Sequence, residues 1–169
     1  IILCGTPTKN PFTPFAIAMA YLFKIMGMGK KPNKILDYLT FNSYNKGYKL
    51  ENEWLSKNPS NISIYNDDEL CGFTFTTNGF INLYKLLKRA FDTKLYRVQN
   101  KELEIFLIAG DNDPVIQSHQ KFKQLEKFLN EIGYKKTKCK LYPDLRHEIL
   151  NEEEYEQIYN DILKFIKQE

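Results

Sequence analysis

Glu104-Ile105-Phe106-Leu107-Ile108-Ala109 is a short apolar run closed by Gly110, and a second run of alternating character occupies residues 137–142. The first reads as a strand buried on both faces. The second places Cys139 and Leu141 on one side and Lys138 and Lys140 on the other, so one of its faces meets water. Between them Ser118 is positioned to cap a helix, and Phe122, Leu125, Phe128, Leu129 and Ile132 advance in helical steps of three and four. Gly133 falls where that helix would end in a left-handed turn. Strand, helix and strand at this spacing require parallel strands joined by a right-handed crossover. Pro143-Asp144 turns the chain, and a last helix follows. Asn151 is expected to cap it, Glu152, Glu153 and Glu154 suit its positive end, and Tyr155, Ile158, Tyr159, Ile162 and Ile166 share one face. The class is therefore α/β.

The sequence opens without an initiating Met, directly in Ile1-Ile2-Leu3-Cys4, and leaves that run at Gly5-Thr6. A strand apolar on both faces belongs inside a parallel sheet. The expectation is that the sequence begins within a domain and that more chain precedes it. Three zones follow: residues 1–8, a core strand and its exit; residues 9–100, a long insert rich in Asn, Lys and aromatics; and residues 101–169, the regular β-α-β-α unit. Helices are expected over residues 11–28, with Pro14 near the start and Phe15, Ala18, Met19, Leu22, Phe23 and Met26 as apolar positions, and over residues 80–91, with Leu83, Tyr84, Leu86, Leu87 and Phe91. So long an excursion between parallel strands reads as a mainly helical cap or lid over the carboxyl edge of the sheet.

Composition narrows the function classes. A chain of 169 residues with 24 basic and 21 acidic side chains does not call for nucleic acid or an anionic surface as a partner. No apolar run approaches the roughly 20 residues of a transmembrane helix. Cys4, Cys71 and Cys139 are odd in number and widely spaced, which provides neither a disulfide framework nor a zinc site. They are expected as reduced, buried thiols of a cytoplasmic protein, although a signal peptide would lie in the absent N-terminal part. No metal and no cofactor is implied.

Sites in parallel α/β sheets form at the carboxyl ends of strands. Two such ends carry acid and base: Gly110-Asp111-Asn112-Asp113-Pro114 after the first strand of the unit, and Leu145-Arg146-His147-Glu148 after the second. If the strands are neighbours, Asp113 can meet His147, fix the Nδ1–H tautomer and leave Nε2 to act as general base. Acid first and His one β-α-β unit later is the chain order of the α/β-hydrolase triad. Asp111 is the alternative acid. His119 reads as a surface residue. Asp111-x-Asp113 after an apolar strand also resembles a haloacid-dehalogenase-like phosphatase motif, and Asp111, Asp113, His147 and Glu148 form a conceivable metal set. No later acidic pair supports either.

These residues carry a family resemblance. Ile105-Phe106-Leu107-Ile108-Ala109-Gly110-Asp111-Asn112-Asp113-Pro114-Val115 and Leu141-Tyr142-Pro143-Asp144-Leu145-Arg146-His147-Glu148-Ile149-Leu150-Asn151-Glu152 resemble the C-terminal part of an α/β hydrolase of the monoacylglycerol lipase, lysophospholipase and serine aminopeptidase-like group. Phe41-Asn42-Ser43-Tyr44-Asn45, Glu53-Trp54-Leu55-Ser56 and Leu70-Cys71-Gly72-Phe73 resemble its cap. The resemblance implies that the three strands are the last three parallel strands of that sheet and that Asp113 and His147 are catalytic. It implies a serine hydrolase acting on a small acyl ester or lipid-like substrate. The nucleophile elbow, Gly-x-Ser-x-Gly, is absent, and none of Ser43, Ser56, Ser60, Ser63 and Ser118 stands on a strand-to-helix elbow. The chain is thus expected to be inactive alone and to depend on the missing N-terminal part of the same protein. The alternative is a pseudo-hydrolase that binds a lipid or partner without turnover.

Overall fold

The computed structural model describes residues 1–168. Three strands, β1 (Ile2–Cys4), β2 (Glu104–Gly110) and β3 (Lys136–Tyr142), form a parallel sheet in the order β1-β2-β3. Six α-helices accompany them: α1 (Thr13–Phe23), α2 (Lys34–Thr40), α3 (Pro59–Asp67), α4 (Thr77–Ala90), α5 (His119–Ile132) and α6 (Tyr155–Lys167).

The alternation of β2 builds two cores. Ile105, Leu107 and Ala109 point to one face and pack with Ile116 and with Phe122, Leu125 and Leu129 of α5. Phe106 and Ile108 point to the other and pack with Tyr142, Leu145, Ile149 and Ile158 of α6. Each fully buried side chain of this size contributes about 1.5–3 kcal/mol, so the central strand, closed on both faces, is the anchor of this half. The register pairs Gly110 of β2 with Tyr142 of β3. The two strands therefore end level, and their exit loops start side by side.

The α5 boundaries are as the sequence implies. Ser118 Oγ accepts the Lys121 N–H at 3.1 Å, and Gly133 adopts φ 118° while the Tyr134 N–H reaches the Leu129 carbonyl at 2.9 Å. The α6 start differs. Asn151 does not cap it: α6 begins at Tyr155, and Asn151 ends a short 3-10 turn over Ile149–Asn151. The reason is that Glu152 is drawn inward, 1% exposed, as an acceptor for Ser56 Oγ and the Lys57 N–H. The helix can begin only after that anchor.

Residues between β1 and β2 have a core of their own, formed by Ala20, Leu36, Phe80, Ile81 and Tyr84. Helix α1 has Pro14 in its first turn and runs into a π-helical turn broken at Gly27 (φ 81°). Helices α2, α3 and α4 are capped by Asn33, Asn58 and Thr76. The caps of α2 and α3 were not recognised as helix starts from sequence, because both helices are short and weakly patterned. The apolar face expected for α1 is packed only in part: Met19 and Phe23 lie against this core. Phe15, Leu22 and Met26 are exposed, while Ala20 is buried against α4. Small side chains let two helices approach closely, so Ala20 sits buried in the contact beside the two stripe residues that pack.

β1 ends the strand order and packs Leu3 into one core and Ile2 into the other. A further expectation, that the thiols are buried, is corrected: Cys4 is exposed. The other two thiols, Cys71 and Cys139, are half-buried and not buried. Among the described residues no helix is long and apolar enough to cross a membrane.

Candidate active site

Asp113 leaves β2 as the first residue before a short turn over Pro114–Ile116. Its Oδ1 accepts the Val115 N–H at 2.8 Å, which is a cap for that turn and locks the carboxylate. Its other oxygen, Oδ2, lies 2.9 Å from Nδ1 of His147. Asp113 is buried, while the imidazole is 29% exposed. A carboxylate held on one oxygen and presenting the other to Nδ1 selects the Nδ1–H tautomer and turns Nε2 outward. Among the described residues Nε2 has no hydrogen-bond partner.

The two exit loops are braced to each other. The Asn112 N–H donates to the Leu145 carbonyl at 3.0 Å, and the Asp111 N–H to the Tyr142 carbonyl at 3.0 Å. Asp111 is occupied elsewhere: its Oδ1 accepts the Asp144 N–H at 2.7 Å, steadying a turn in which Asp144 has φ 61°. It does not reach His147. His119 is exposed, with Nε2 3.2 Å from the Asp111 carbonyl, and takes no part in the pair. Asp111, Asp113, His147 and Glu148 do not converge as a ligand set; among the described residues no three His, Cys, Asp or Glu side chains do so.

Sequence reasoning missed the residues that surround the pair. Gly5, at the exit of β1, passes beside the imidazole with φ 57°. Residues 53–56 lie along the other side, and their four main-chain carbonyls accept hydrogen bonds from the His loop. The Trp54 ring packs on the His147 ring at 5.3 Å between centroids, and Tyr44 packs on Trp54 at 5.1 Å. Burial, followed by the nearby Asp113 charge, pushes the Tyr44 phenol above its ordinary value. The Glu53-Trp54-Leu55-Ser56 string was visible as a likeness, but nothing in its pattern places it beside His147.

The thiols are not poised as nucleophiles. Desolvation of the sulfur, with the Asp113 charge adding, pushes the Cys4 thiol up to about 11, and desolvation pushes Cys139 up to about 11. Cys71 is also raised, chiefly by desolvation and then by Asp68. Of the serines, Ser56 is buried and bonded to Glu152, and Ser118 is committed to capping α5.

Comparison with known proteins places this geometry in context. Residues 2–154 match the family described as serine aminopeptidase, S33. No curated protein matches the sequence. The fold resembles a highly thermostable carboxyl esterase from Bacillus coagulans, solved in complex with glycerol, with a TM-score of 0.85 and 22% identity over 99% of this chain and 56% of that one. It also resembles a soluble variant of monoglyceride lipase from Saccharomyces cerevisiae in complex with a substrate analog, with a TM-score of 0.62 and 16% identity over 99% of this chain and 55% of the other. A monoacylglycerol lipase from Paleococcus ferrophilus gives 0.60 and 16% over 97% and 56%. At these identities the likeness is one of fold. The chain spans little more than half the length of these relatives.

Proposed function

The chain belongs to the serine aminopeptidase S33 family of α/β hydrolases, and from that premise we propose that it contributes the acid and the base of a Ser-His-Asp triad to a carboxylic ester hydrolase. The observation that carries the reading is the 2.9 Å contact between Asp113 Oδ2 and His147 Nδ1 at the level ends of two parallel strands. The nucleophile is a serine outside these 169 residues, supplied by further chain of the same protein, since no serine here stands at a strand-to-helix elbow. Residues 9–100 form the cap, and the exposed apolar side chains on and beside α1 (Phe12, Phe15, Leu22, Met26) suit a small acyl ester or a lipid-like substrate.

The roles follow from the tautomer. His147 Nε2 takes the proton of the serine hydroxyl as its oxygen attacks the ester carbonyl. The imidazolium is stabilised by Asp113, which remains ionised. Nε2 then gives the proton to the leaving alkoxide, and the cycle repeats with water to release the acid.

The test uses the full-length protein and p-nitrophenyl butyrate. His147→Ala is expected to lower turnover by several orders of magnitude, and Asp113→Asn by about 10⁴ through the wrong tautomer. A fluorophosphonate probe should label a serine outside residues 1–169. Undiminished turnover in either variant, or labelling of a serine within this chain, overturns the assignment. Binding of acyl ligands with no turnover by the wild type would instead support a pseudo-hydrolase, which the absent Gly-x-Ser-x-Gly motif keeps in view.

A further inference from the structure

We propose that Arg146 is a positioning residue for His147: it clamps the His loop onto the backbone of residues 53–56. For its catalytic consequence the proposal rests on the triad reading above; for its structural content it does not.

The clamp is a run of four consecutive carbonyls facing three consecutive residues. Arg146 Nη1 donates to the Glu53 carbonyl at 2.6 Å and to the Ser56 carbonyl at 2.7 Å. Between those two, the His147 N–H donates to the Trp54 carbonyl at 3.4 Å and the Glu148 N–H to the Leu55 carbonyl at 2.8 Å. The guanidinium thus takes the outer carbonyls and the loop backbone takes the inner ones. The bond to His147 itself is the longest of the four. Its geometry is set by the shorter bonds on either side of it. Arg146 Nη2 adds an ion pair to Glu53 Oε1 at 3.2 Å, and the guanidinium lies over the Tyr48 ring at 4.5 Å.

An exposed Arg–Glu pair contributes little to stability. This one is different in kind: both side chains are about four-fifths buried, and two of the three bonds go to main-chain carbonyls. Charge-assisted bonds to carbonyls fix backbone position, and only a planar fork can serve two carbonyls and a carboxylate together. The consequence at the site is direct. The same segment carries Trp54, whose ring walls the imidazole. Releasing the clamp loosens the wall and the main chain of His147 together, and so loosens the approach of Nδ1 to Asp113.

The experiment compares Arg146→Gln and Arg146→Lys with wild type in the full-length protein. The readouts are the low-field proton resonance of the His147 Nδ1–H, identified by its loss in His147→Ala, the separate kcat and KM for p-nitrophenyl butyrate, and the thermal melt. In Arg146→Gln the resonance should broaden beyond detection, with kcat falling by about 10- to 100-fold and KM changing by less than about twofold. Arg146→Lys keeps the charge but lacks the fork, so it should restore the melt more fully than it restores kcat. It also serves as the test if the Gln variant does not fold. An unmoved resonance with unchanged kcat in a folded variant overturns the clamp, even where His147→Ala abolishes turnover. Conversely, a wild type that hydrolyses no ester but loses the resonance in Arg146→Gln sinks the triad reading and leaves the clamp standing.

Discussion

Gly5 stands so close to His147 that a Cβ at position 5 would lie 3.0 Å from Cε1 and 3.1 Å from Nδ1 of the imidazole, and 3.6 Å from Oδ2 of Asp113. The backbone there also has φ 57°, a conformation that costs a residue with a side chain about 1–2 kcal/mol. Both facts require glycine where the β1 exit passes the Asp113–His147 pair. Gly5→Ala should lower the melting temperature modestly and, in the full-length protein, reduce kcat by about 10- to 100-fold as the ring is displaced from Asp113. Wild-type kcat in a folded Gly5→Ala variant would show that the imidazole yields without consequence.

What could be read from the sequence, and what could not, follows from range. The strands, the α5 caps and the adjacency of the Asp113 and His147 loops are local patterns plus one topological rule, and these were legible. Gly5 was visible only as the end of an apolar run, because its role arises from a contact with a residue far along the chain. Residues 53–56 carry no periodicity, and their function is to offer carbonyls, which every residue type does. The α1 stripe misled for a different reason. Apolar spacing marks a face but does not say how much of it is packed: Met19 and Phe23 reach the core beside Ala20, while Phe15, Leu22 and Met26 stay exposed.

Gly110 makes a sharper test of the crossing of the two exits. A Cβ on it would fall against the Leu145 and Arg146 carbonyl oxygens, which are main-chain atoms and cannot swing aside. Gly110→Ala must therefore push the His loop off the end of β2, breaking the Asn112-to-Leu145 bond. The expected cost is about 3 kcal/mol or more. Gly27→Ala is the control: φ is 81°, yet a Cβ there meets nothing within 4 Å, so only about 1–2 kcal/mol of backbone strain applies. Chemical denaturation of the two variants should rank them in that order. Equal losses would mean that the Leu145 backbone moves freely.

Acid should open the contact between residues 53–57 and the segment after β3 before it opens the sheet. The Glu53 carboxyl is held below its ordinary value of 4.5, chiefly by the Leu50 N–H, with the Lys49 N–H and Arg146 in support and desolvation opposing. The Glu154 carboxyl is lowered mainly by its bond to the Lys57 ammonium. A carboxyl depressed in the folded state binds fewer protons there than in the unfolded chain. Its stabilisation is therefore present above the unfolded value and is lost as pH falls through the lower folded value. Relative to the intrinsic rate at each pH, protection of the Lys57 and Glu148 amides from hydrogen exchange should fall below about pH 4, while the β2 amides stay protected. Uniform loss of protection across both regions would contradict the order.

Glu152 and Asn151 offer a comparison in which neighbouring residues trade the roles their sequence suggests. Asn151 has the chemistry of a helix cap, but its side chain only bonds Glu148 Oε2 at the surface, at 3.1 Å. Losing such an exposed bond should cost less than about 1 kcal/mol. Glu152 is the acceptor for Ser56 Oγ at 3.1 Å and the Lys57 N–H at 2.9 Å, and Ser56 Oγ in turn accepts from the Asn58 N–H at 3.0 Å. Glu152→Ala strands two donors in a buried place, each worth about 1–3 kcal/mol when left unpaired. Glu152→Gln keeps an acceptor oxygen and should recover part of that loss. Denaturation of Asn151→Ala, Glu152→Gln and Glu152→Ala should therefore show three increasing losses in that order. If Asn151→Ala proved the costliest, the capping role denied to it would have to be restored, and Glu152 would be an acid that happens to be covered and not the point at which the last helix is tied down.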